Sequence, residues 1–109
     1  MFQRALTVGG GGGGAVTIEK GNDVLYSSAY NVFVDTGLKA EEGSFYFSTF
    51  SVNGSYNSLY EYNGGTFTAV STSAGSFPLE VLANGNIGVK QTYQYGDWAS
   101  ATLWVYKIS

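Results

Sequence analysis

The sequence predicts an all-β protein: an antiparallel β-sandwich, jelly-roll-like, of seven or eight strands behind an N-terminal glycine-rich arm. Three observations carry this. Apolar residues alternate, or run in short pieces, and almost nowhere recur at helical spacing. The pieces are broken by Gly, Asn, Asp and Ser about every eight to twelve residues. No crossover helix is present to join parallel strands, so the sheets must be antiparallel.

Each element can be argued in turn. Val16 to Lys20 alternates as a first strand, and Val24 to Val34 sets Val24, Tyr26, Tyr30, Val32 and Val34 on one face. Gly37 to Glu42 holds one helical turn at most and reads better as a polar loop. Phe45 to Val52 carries aromatics on both faces, the mark of a central strand. Leu59 to Tyr62 and Thr66 to Ser71 flank Asn63-Gly64-Gly65, a hairpin signal because tight primed turns need positive φ. Leu79 to Ala83 and Ile87 to Tyr95 flank a second such turn at Asn84-Gly85-Asn86. Ala101 to Ile108 is apolar on both faces, so it is central or covered by a partner; Leu103, Trp104, Val105 and Tyr106 are its candidate interface residues.

At 109 residues the chain makes one domain. Its 44% hydrophobic content excludes disorder, while only 12% of residues are charged and 17% are aromatic. That surface, short of charge and rich in Ser, Thr, Asn, Gly and Tyr, suits contact with protein or sugar. A net charge of −3 with five scattered basic residues excludes the usual nucleic-acid footprint. Without Cys or His there is no disulfide framework, no thiolate metal site and no imidazole base. The N-terminus makes a poor secretion signal, and no apolar run is long enough for a membrane helix, so synthesis in a cytoplasm without membrane insertion is expected.

Residues 8 to 16 read VGGGGGGAV. The run contains GxGxxG, but a dinucleotide loop must open a helix, and Ala15-Val16-Thr17-Ile18 alternates like a strand. Residues 1–15 are therefore expected as an arm and linker before a β-domain over 16–109. Phe2, Arg4 and Leu6 would dock the arm, with Gly9, Gly10, Gly11, Gly12, Gly13 and Gly14 as tether or as an extended segment ordered by neighbours.

The carboxylates Glu61, Glu80 and Asp97 show no spacing that selects a glycosidase pair, so no enzyme is expected. Asp23, Asp35, Glu41 and Glu42 lack a calcium-loop pattern, so neither a metal nor any other cofactor is expected. For recognition, Tyr56, Asn57, Asp97 and Trp98 combine aromatic faces that stack on sugars with polar groups that bond hydroxyls. Tyr93 and Tyr95 continue the buried face begun by Ile87 and Val89.

A chain starting at Met, a glycine-rich stretch near the N-terminus, a charge-poor β body and a last strand ATLWVYKIS running to the terminus together resemble small virion proteins of tailed bacteriophages. Tail-fibre, baseplate and capsid-decoration modules share this style. The resemblance implies a non-enzymatic structural role in the virion, in a homo-oligomer, commonly a trimer, with an N-terminal arm docked on other virion proteins. The competing expectation is a monomeric carbohydrate-binding module.

Overall fold

The computed structural model describes residues 4–9, 15–51, 55–72, 77–92 and 96–109. Among them run ten strands: β1 (Arg4–Gly9), β2 (Ala15–Lys20), β3 (Val24–Leu25), β4 (Val34–Lys39), β5 (Phe45–Ser51), β6 (Ser55–Asn63), β7 (Thr66–Thr72), β8 (Leu79–Val81), β9 (Asn86–Val89) and β10 (Thr102–Ile108). The protein is all-β, as the sequence predicts. Every strand pair is antiparallel. A large sheet has the order β1-β2-β10-β5-β6-β7, with β3 also on β10, and a small sheet has the order β4-β9-β8.

The sheets face each other across one core. Leu38, Ile87 and Val89 come from the small sheet, and Tyr46, Phe50, Leu103 and Val105 from the large one. On the large sheet burial alternates along each central strand: Tyr46, Ser48 and Phe50 on β5 are buried, as are Leu103, Val105 and Lys107 on β10. Those residues stand opposite one another in register, so they form a single inner face.

Both glycine turns form as their residues dictate. Asn63 pairs with Thr66 across Gly64 (φ 63°) and Gly65 (φ 76°), a two-residue loop with both φ positive. The Glu42 carboxylate accepts from both turn amides, at 2.5 and 3.2 Å. At the β8–β9 turn the Asp35 carboxylate accepts from Asn84 Nδ2 at 2.8 Å, from Asn86 Nδ2, and from Gly37 N at 2.7 Å. Partial burial raises the Asp35 pKa, but these hydrogen bonds outweigh it and leave the group below the usual carboxylate range.

Four expectations are corrected. The single strand over Val24–Val34 is interrupted by a 3₁₀ turn at Tyr26–Ala29 and by Asn31 at φ 55°. Three residues per turn puts Tyr26 and Ala29 on the same buried side, while Tyr30 and Val32 are exposed. Second, Gly37–Lys39 belongs to β4 with Leu38 in the core, so the loop starts later than expected. Third, β9 ends at Val89: Lys90 N still donates to Pro78 O in the same register, but Pro78 has no N–H to return the bond, and Gln91 N turns away to Ala29 O; Tyr93 and Tyr95 lie outside the described residues. Fourth, Arg4–Gly9 is not a detached arm: it pairs with β2 over six positions, from Arg4 opposite Lys20 to Gly9 opposite Ala15. Phe2 and Gly10–Gly14 lie outside the described residues.

Gly21 sits where β2 leaves the sheet. A Cβ there would come within 2.9 Å of Thr36 O and 3.0 Å of Val105 O. Both are backbone atoms and cannot swing away. Gly21→Ala is therefore expected to cost about 1–3 kcal/mol through overpacking, read as a lowered urea midpoint.

Candidate functional site

The inner face of the large sheet carries two aromatic groups, one near each end. Tyr26 stacks on Phe50 at 4.9 Å, with Phe77, Tyr56 and Trp98 around them. Tyr46, Tyr60, Tyr62 and Phe67 form the second group. Between the two, Ser48 faces Ser58 across β5 and β6, and both hydroxyls are buried without a hydrogen-bond partner among the described residues. Burying an unpaired hydroxyl costs about 1–3 kcal/mol. Ser58→Ala should therefore leave stability unchanged or raise it, measured by denaturant melts; a loss above about 1 kcal/mol would show that the hydroxyl is bonded.

The four recognition residues separate. Tyr56 and Trp98 are brought together, 5.4 Å apart, but both are half-buried and packed on the core. Tyr56 lies in β6 rather than at a loop tip, opposite Phe50. Asn57 is its neighbour in the strand, so it points to the other face, where its Oδ1 accepts from Thr49 Oγ1 at 2.7 Å. The side chain of Asp97 lies outside the described residues.

The four candidate interface residues divide in the same way. Leu103 and Val105 are fully buried in the core, which corrects their assignment to an interface; β10 is central, and its inner side packs under the small sheet. Trp104 and Tyr106 point outward and are partly exposed. Trp104 Nε1 donates to Asp23 Oδ1 at 2.7 Å, and Lys20 Nζ lies 4.9 Å from its ring.

Register shows what surrounds Trp104 and Tyr106. Across the outer face one row runs Ile18, Ile108, Phe45, Glu61, and the next runs Lys20, Tyr106, Phe47, Leu59. Six of these eight residues are apolar or aromatic, all are partly exposed, and no element of the described chain lies across them. Val16 extends the patch on β2 at 42% exposure. Sequence reasoning named only Trp104 and Tyr106 from it. The both-face apolar pattern of FYFSTFS already held the signal for Phe45 and Phe47, read there only as a central strand.

Chemistry finds less support. Glu61 lies on the large sheet and Glu80 on the small one. Glu41 pairs with Lys107 at 2.8 Å, Glu42 holds the Gly64–Gly65 turn, and Asp23 and Asp35 are engaged as above. Among the described residues no three Asp or Glu side chains gather to hold a metal ion. An open groove of about 390 Å³ between β7 and β8 is lined by Phe67, Leu79 and Val81, with Glu80 its one charged group. No helix of the described residues is long and apolar enough to cross a membrane. No family model, no curated protein and no solved structure matches the chain.

Proposed function

We propose that the chain is a non-enzymatic structural module that works in a homo-oligomer, of the kind found in the decoration or tail apparatus of bacteriophage particles. The observation that carries this is the outer face of the large sheet, where Ile18, Phe45, Phe47, Leu59, Tyr106 and Ile108 form one apolar surface. A contiguous apolar patch on a chain with so little charge is the ordinary sign of a protein interface. The virion assignment rests on the resemblance in composition and layout. The N-terminal segment enters this reading as edge strand β1, on the opposite edge of the sheet from β7. Light scattering at tens of micromolar should give a multiple of the 11.6 kDa chain mass. A monomer at that concentration overturns the reading.

A second reading, glycan binding, is favoured by one observation: the Tyr56–Trp98 pair at 5.4 Å. It expects hits on a glycan array that disappear in Trp98→Ala. An array without hits removes it.

A further inference from the structure

We propose that the outer face of the large sheet packs on the same face of a second copy about a two-fold axis, with Lys20 of each copy meeting Glu61 of the other. This rests on the self-association proposed above and specifies its geometry. Lys20 and Glu61 are the two charged residues of the two apolar rows, at opposite ends of the pattern: Lys20 on β2 beside Tyr106, Glu61 on β6 beside Phe45. They carry opposite charges. Within its own chain Lys20 Nζ lies 3.9 Å from Asp23 Oδ1 and 4.9 Å from the Trp104 ring, and its side chain stays 39% exposed.

A face-to-face pair has its two-fold axis in the plane between the sheets, so the partner pattern is the mirror of the first in projection. The axis that exchanges Lys20 with Glu61 is fixed by their positions. It bisects the line between them and passes over the diagonal pair Phe47 and Ile108, in the gap between β5 and β10. Each of those residues then meets its own copy, and Trp104 lies over Leu59. One axis therefore brings both charges to opposite charges and the apolar centre to itself. Any axis that paired Lys20 with Lys20 would desolvate like charges.

The area suits a weak, reversible pair. Four strands at ~4.8 Å spacing and about 20 Å of strand length present roughly 400 Å². Two copies then bury roughly 800 Å², at the low end of protein interfaces, which matches a dimer that dissociates on dilution. The groove between β7 and β8 is lined by too few apolar residues to compete.

The test is sedimentation or light scattering over a dilution series of the full chain. Wild type should run as a dimer that dissociates on dilution. Each ion pair occurs twice by symmetry, so K20E and E61K should each weaken dimerisation about tenfold or more. The double variant K20E/E61K should return it to within about threefold of wild type. Phe47→Asp, which sets two carboxylates on the axis, should leave only monomer, while Val32→Asp, exposed in the segment between the 3₁₀ turn and β4, should change nothing. Circular dichroism of each variant confirms that it is folded. A wild-type trimer, single variants without effect, or a double variant that stays weak would overturn the two-fold pairing while leaving self-association standing. A monomeric wild type overturns self-association itself, and the pairing with it.

Discussion

Replacing Phe50 with alanine is expected to destabilise the protein by about 3–5 kcal/mol, the range measured for emptying a buried phenylalanine site. Phe50 is fully buried and lies in the inner row of β5 opposite Leu103 and Tyr56. Its ring touches four others: Tyr26 at 4.9 Å, Trp98 at 5.4 Å, Phe77 at 5.6 Å and Tyr56 at 6.4 Å. The last three reach it from three separate stretches of chain, so the site cannot collapse without moving β6, the Trp98 turn and the Phe77 segment together. Typical stabilities of small domains are about 5–15 kcal/mol, so the variant retains little margin. Urea melts followed by tryptophan fluorescence would show it, because Trp98 loses its packing partner. Phe47→Ala, three residues away on the outer face, should cost only about 1 kcal/mol in the dilute monomer. Equal losses for the two variants would contradict the assignment of inner and outer faces.

That contrast also shows where the sequence is legible. Alternation in β5, β6 and β10 is regular, and the glycine turns have one solution each, so fold class and most strands follow from local pattern. Tyr26 did not follow, because a 3₁₀ turn replaces period two by period three within a segment that scans as strand. The end of β9 was hidden for another reason. Gln91 leaves the ladder to bond Ala29 O through its backbone and Tyr26 O through its side chain, partners more than sixty residues away. The candidate site was legible in residue type and not in orientation. Trp104 and Leu103 are adjacent apolar residues, and only the placement of β10 between β2 and β5 decides which one faces the core. The same holds for Tyr56 and Asn57, which share a recognition composition but lie on opposite sides of the sheet.

Stability should also fall as pH rises through the range 10 to 12, and Tyr46→Phe should remove that part of the loss. Tyr46 is fully buried under the second aromatic group. Its hydroxyl donates to Lys39 O at 2.6 Å and accepts from Glu41 N at 2.9 Å, tying the β4–β5 connection to the sheet. Burial pushes its pKa up to about 12 from an ordinary 10. The sign follows from linkage. Below pH 10 the phenol is protonated in both states and its contribution is fully present. Between 10 and 12 only the unfolded chain releases the proton, so unfolding gains progressively until the folded group ionises too. In Tyr46→Phe the carbonyl of Lys39 and the amide of Glu41 lose their partner, which costs about 1–3 kcal/mol at neutral pH. Urea midpoints of both proteins from pH 8 to 12 test this, since the remaining tyrosines titrate alike in each and cancel in the difference. The wild-type advantage should be constant to about pH 10 and shrink above it. An advantage that stays constant to pH 12 would mean that the Tyr46 hydroxyl ionises as readily folded as unfolded, and that solvent reaches the space between β4 and β5.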